Sequence, residues 1–142
     1  MDMTAIKRLW RRTDIARRRC FKTKVSMSAR MRLFDLEAGK GLTSWIEGGT
    51  TELAEDGLVV GVDQVMVDGF HIFTDAMKQG RRLELEWELP AEGGALTGKG
   101  RVLWFKLAPD GAPHPFEAGV LLAEMGLEQR ERWLGFTKGL PG

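Results

Sequence analysis

Cysteine is nearly absent from this 142-residue chain. Cys20 stands alone, which excludes an internal disulfide, and it lacks the Cys and His neighbours that a structural zinc site needs. A reducing, cytoplasmic location fits that usage. Long hydrophobic runs are missing too: Gly57-Leu58-Val59-Val60-Gly61-Val62 is far too short to cross a bilayer, and no secretory core follows the basic start, so a soluble protein is expected. Histidine, the side chain most often recruited for acid–base work at neutral pH, is scarce, with only His71 and His114. The first falls in a predicted strand and the second between Pro113 and Pro115, placements that suit structural or solvated side chains. No Gly-x-Ser-x-Gly, His-Glu-x-x-His, P-loop or Rossmann glycine pattern occurs, and an enzyme is not expected. There is no internal repeat and no low-complexity tract. At this length, 43% hydrophobic residues support one domain with a tail and not two large domains.

What the chain does have is polarised charge. The first 32 residues hold 11 basic side chains against Asp2 and Asp14, a net +9, while the remainder holds ten basic and 18 acidic, a net −8. The near-neutral total of +1 conceals this. Such asymmetry points to an anionic partner at the N-terminus, and a solvated tail is the simpler reading of charge alone. Within this segment residues 4–12 place Ile6, Leu9 and Trp10 on one helical face and Lys7, Arg8, Arg11 and Arg12 around the other. Nine residues make a marginal helix alone, so this one requires a surface to dock on: its own domain, a partner or an anionic membrane.

The period then changes to two. Val25, Met27, Ala29, Met31 and Leu33 alternate with Ser26, Ser28, Arg30 and Arg32, which predicts a half-buried strand. Gly39 to Gly41 and Gly48-Gly49 punctuate the next stretch. Short strands are predicted near Trp45 and Ile46, at residues 50–53 and at 58–62, with a tight turn at Ala54-Glu55-Asp56-Gly57. Residues 65–73 read as a further strand. Leu83, Leu85, Trp87 and Leu89 alternate with Glu84, Glu86 and Glu88 until Pro90, giving one core face and one acidic face. A connection through Glu92-Gly93-Gly94 leads to residues 100–106, where Val102 and Trp104 face one way and Leu103 and Phe105 the other. Pro109-Asp110-Gly111 turns the chain into a last strand with Phe116, Ala118, Val120 and Leu122. Residues 127–138 close as a helix packed through Leu127, Trp133 and Leu134. Six or seven short strands with abundant glycine imply an all-β barrel or sandwich.

Two motifs stand in an informative order. Arg18-Arg19-Cys20-Phe21-Lys22 runs into the first strand, and Glu52-Leu53-Ala54-Glu55-Asp56-Gly57 follows at a strand-to-strand turn. This resembles the PilZ family, whose signature is Arg-x-x-x-Arg before the first strand of a small β-barrel, then (Asp/Asn)-x-Ser-x-x-Gly between the next two strands. Gly80-Arg81-Arg82-Leu83-Glu84-Leu85, Gly100-Arg101-Val102-Leu103-Trp104 and Glu117-Ala118-Gly119-Val120 are similar to later parts of that family. The resemblance spans about residues 17–138. It implies a six- or seven-stranded PilZ-like barrel with a C-terminal helix over residues 17–142, preceded by the basic helical arm that charge and periodicity predict over residues 1–16.

The family's usual ligand is cyclic di-GMP, so the resemblance implies a bacterial second-messenger sensor with no cofactor. Ligand-binding residues carried over are Arg17, Arg18, Arg19, Lys22, Glu52, Ala54 and Gly57. Arginine can fork onto guanine O6 and N7, stack on the base and neutralise phosphate. A carboxylate at the turn can accept from guanine N–H groups, and glycine permits close approach. Three positions depart from the signature: Lys22 replaces the second arginine, Glu52 the Asp or Asn, and Ala54 the serine. A rival register at Gln64, Met66 and Gly69 keeps only the glycine. One alternative is a nucleotide-independent PilZ-like interaction module, acting on a partner in motility, pilus, secretion or polysaccharide machinery. A lesser one is a single-stranded nucleic-acid-binding barrel, opposed by the acidic faces at residues 84–88 and 117–131.

Overall fold

The computed structural model describes residues 26–89 and 94–139. The predicted arm, the Arg17 to Lys22 cluster and the Glu92-Gly93 connection lie outside them.

Strand β1 (Ser28–Asp35) follows the alternation of its sequence, with Ala29, Met31 and Leu33 buried and Arg30 and Arg32 on the outer face. A turn with Gly39 in the left-handed region leads to the short β2 (Lys40–Gly41), which pairs with the end of β1. β3 (Ile46–Ala54) and β4 (Gly57–Val62) form the hairpin predicted at Glu55-Asp56. β7 (Arg81–Glu88), β8 (Ala95–Leu107) and β9 (Phe116–Glu124) run antiparallel to their neighbours. The order β1-β3-β4-β9-β8-β7 returns to β1 through the β1–β7 pairing, which closes a six-stranded barrel with β2 as an added seventh strand. Closure abolishes the sheet edges along the paired lengths.

Inward residues of every barrel strand meet in one core that includes Met31, Leu33, Leu58, Val60, Leu85, Trp87, Val102 and Val120. Helix α2 (Leu127–Lys138) packs on it through Trp133, whose indole meets Trp87 edge to face with ring centroids 5.4 Å apart. On the outside, the acidic face of β7 is not simply solvated. Glu84 pairs with Arg32 and Lys99, Glu86 pairs with Arg30, and both arginines lie 4.5 Å from the Trp45 ring centre. The Glu86 hydrogen bond raises Arg30 above its ordinary pKa, opposed by desolvation and helped by the charges of Glu86 and Glu47.

Four local expectations are corrected. Gly48 and Gly49 do not break the chain but lie inside β3, because a side chain at Gly48 would meet the Gly61 carbonyl oxygen at 2.3 Å. Residues 65–73 are not one strand. β5 (Met66–Val67) and β6 (Phe70–His71) form a small hairpin about Asp68-Gly69, both at positive φ, and the short helix α1 (Ile72–Asp75) follows. His71 ends that hairpin and caps α1, its Nδ1 accepting from the Thr74 N–H at 3.0 Å. Alternation in β8 is interrupted between Val102 and Trp104, so Leu103 joins Trp104 in a small outer cluster with Val59 and Leu121. In α2 the packing residues are Trp133, Phe136 and Thr137, while Leu127 is 77% exposed.

Candidate functional site

The predicted turn is held rigidly. Ala54 pairs with Gly57 across a two-residue loop, the Glu55 carbonyl accepts from Trp133 Nε1 at 3.0 Å, and the Asp56 carbonyl accepts from the Leu122 N–H at 2.9 Å. Both turn carbonyls are therefore satisfied within the fold, and the end of the hairpin is fixed to β9 and α2. Ala54 is only 2% exposed, and Gly57 is buried as well.

Glu52 takes a different direction. The β3–β4 register shifts between Thr50 and Glu52, a bulge that brings both Thr51 and Glu52 to the lining of an outer cleft. The second of two register shifts in β8, between Val102 and Trp104, brings Trp104 to the same cleft from the other side, with Lys106 two residues on and its ammonium 5.5 Å from the Trp104 ring centre. Val59 of β4 and Glu117 of β9 lie between them, and residues 109–113 close the top, around a volume of about 380 Å³. Trp104 lies against Gly119, where an added Cβ would come within 2.4 Å of the indole.

The loop over the cleft is held at its far end by His114. Its Nδ1 is 2.9 Å from Asp63 Oδ1, and its ring packs so closely on Gly61 that a Cβ there would stand 3.1 Å away. Both histidines thus make structural contacts, as their sequence positions suggested.

The described chain starts at this cleft. Ser26 lines it, and Met27 is locked to β3 by two bonds: Thr50 N–H to the Met27 carbonyl at 2.9 Å and Met27 N–H to Thr50 Oγ1 at 3.0 Å. Of the predicted ligand residues in the described chain, Glu52 reaches the cleft while Ala54 and Gly57 sit at the closed end of the hairpin. Trp104, Lys106 and Glu117 were not singled out as site residues from the sequence. Two bulges bring Trp104 and Glu52 to one cleft, and neither bulge has a local signature such as a lone glycine in the strand. The described lining is acidic, with Glu52, Asp110 and Glu117 against Lys106.

Among the described residues no cluster of three metal-ligating side chains forms, and no helix is long and apolar enough to cross a membrane. No family model and no curated protein matches the sequence. Among solved structures, the Bacillus subtilis inhibitor of motility (MotI/DgrA) superposes with a TM-score of 0.55 at 14% identity, covering 81% of this chain and 46% of that one. This chain therefore spans less than half of that protein's length, and at such identity the likeness concerns the fold: a PilZ-like closed barrel with an extra strand and a C-terminal helix.

Proposed function

We propose that this domain is a non-enzymatic sensor that holds cyclic di-GMP between residues 17–24 and the outer cleft at Glu52. The observation that supports it most is the anchoring of Met27 on Thr50, which fixes Ser26, the first described residue, at the cleft and keeps the preceding basic residues within chain reach of it. At about 3.6 Å per residue, Lys22 can lie no more than about 14 Å from Ser26 and Arg17 no more than about 32 Å, so all four predicted cations are within reach. A volume of about 380 Å³ falls within the range of small-molecule sites. Arginines would neutralise the two phosphates and fork onto guanine, and Glu52 would accept from guanine N–H groups. Binding then draws the N-terminal segment onto the barrel and changes the face offered to a protein partner.

A second reading has its own support. The acidic excess in the described lining and the burial of Ala54 both disfavour a dianionic ligand, and they suit a PilZ-like interaction module that works without nucleotide. Calorimetric titration separates the two. The sensor gives micromolar affinity or better for cyclic di-GMP, far weaker binding of GMP, and a larger loss for Arg18→Ala than for Lys24→Ala. A flat trace at ~100 μM protein rejects the sensor and leaves the interaction module.

A further inference from the structure

One end of the barrel carries an apolar surface that the core does not use. Met66 and His71 are cross-strand partners in the β5–β6 hairpin, and the His71 ring lies 4.9 Å from the ring of Phe105, which in turn approaches Phe73. Leu107 follows Phe105 on the same side of β8, past the last residue that β7 pairs. Exposures are 56% for Met66, 40% for Phe105 and 73% for Leu107. Isolated exposed apolar residues need no explanation, but a contiguous group built on rigid strands marks an interaction surface.

We infer that this barrel end is the docking site of the chain's own residues 4–12, seated through Ile6, Leu9 and Trp10. The chain places that segment within range. Ser26 lines a cleft with Trp104 and Lys106, the neighbours of Phe105 and Leu107 on β8, and 16 residues separate Ser26 from Trp10, a span of up to about 58 Å. Charge favours the same occupant. Asp63, Asp68 and Asp110 are exposed within three residues of Met66 or Leu107, Asp63 also bonded to His114 and Asp68 to Ser44, and they outnumber Lys106, the one cation of those stretches, while residues 4–12 surround their apolar stripe with Lys7, Arg8, Arg11 and Arg12. A second copy meeting face to face would bring those carboxylates against their own kind. Docking also supplies what a nine-residue amphipathic helix lacks alone, an apolar surface to order it. The inference does not depend on nucleotide binding.

Disulfide trapping in the full chain tests it. In a Cys20→Ser background, Leu9→Cys is combined either with Leu107→Cys or with Leu127→Cys, an equally exposed residue on α2. α2 meets β8 near Thr97, where the Gln129 side chain accepts from the Thr97 N–H, so Leu127 lies about 30 Å along β8 from Leu107. Bridging requires Cα atoms within about 7 Å. Docking gives an intramolecular bond at residue 107 forming at least tenfold faster than at 127, and Trp10→Ala slows it severalfold. Equal rates at the two positions, no bond, bonding only between chains, or no effect of Trp10→Ala each overturns the proposal, with circular dichroism confirming that every variant is folded.

Discussion

Trp87 and Trp133 are both fully buried and touch edge to face, yet only one of the two indoles has a hydrogen bond: Trp133 Nε1 donates to Glu55, while Trp87 Nε1 has no hydrogen-bond partner among the described residues. Phenylalanine at either site removes similar volume, so the difference between the variants isolates the bond. Trp133→Phe is expected to cost about 0.5–1.5 kcal/mol more than Trp87→Phe in urea unfolding, because it also strands the Glu55 carbonyl. Equal costs would mean that the bond contributes nothing. Two glycines give a contrast of sign. Gly48→Ala drives a Cβ against the Gly61 carbonyl and should destabilise by about 1–3 kcal/mol. Gly135→Ala in α2 meets no atom within 4 Å and should stabilise by about 0.5–1 kcal/mol. Ala54 bears on function. In the sensor, Ala54→Ser with Glu52→Asp and Lys22→Arg restores the family signature, and a new hydroxyl bond of about 0.5–1.5 kcal/mol tightens cyclic di-GMP binding up to about tenfold. Because residue 54 is buried, the serine must find a partner there. If the folded triple variant binds no better than the parent, these turn residues do not face the ligand.

The β1–β7 seam that closes the barrel carries Arg32–Glu84 on its outer surface, with side chains 29% and 18% exposed. An ion pair of this kind contributes little. A double-mutant cycle with Arg32→Met and Glu84→Gln should give a coupling of about 0.2–1 kcal/mol that shrinks in 0.5 M salt. A coupling near 3 kcal/mol, insensitive to salt, would mean that the ladder and not the core closes the barrel. Elements whose signal is periodic were legible in the sequence: β1 and β7 alternate with the buried faces expected, and β9 buries Ala118, Val120 and Leu122 as expected, though Glu117 and Gly119 of its other face are buried too. Elements set by backbone detail were not. The Asp68-Gly69 pair is a strong two-residue hairpin signal, but the apolar residues on both sides read as one continuous strand. Neither bulge could be located, since register is fixed by partners distant in sequence. The α2 face was half legible, with Trp133 inward as expected and Leu127 outward, because the helix makes its apolar contacts at its middle and end, while its first turn meets β8 through the Gln129 side chain. For the candidate site, the Glu55-Asp56 turn was readable from the motif, whereas the cleft that Glu52 lines depends on four strands and a loop that only the closed barrel brings together.

At the scale of the molecule, charge is divided between two parts. The described residues hold 12 basic and 17 acidic side chains, a net −5, and residues 1–25 hold nine basic and two acidic, a net +7. Attraction between the parts favours an N-terminal segment lying on the barrel, consistent with both the sensor and the docked helix. It also bears on the nucleic-acid alternative. Part of the acidity expected to repel a polyanion is already neutralised, since Glu84 and Glu86 are paired with Arg32, Lys99 and Arg30. The remaining excess still leaves a single strand only the basic segment to hold. Binding there releases counterions, and with Arg17, Arg18, Arg19, Lys22 and Lys24 engaged the log–log slope of affinity against salt is at most about −3.5. Cyclic di-GMP has two phosphates and no condensed counterion atmosphere, and its guanine contacts are insensitive to salt, so its slope should be much shallower. Titrating a labelled oligonucleotide and cyclic di-GMP between 50 and 300 mM salt should therefore show the first affinity collapsing and the second persisting. Tight oligonucleotide binding at physiological salt would require base stacking on the barrel in addition to charge, and would place the nucleic-acid reading ahead of the sensor.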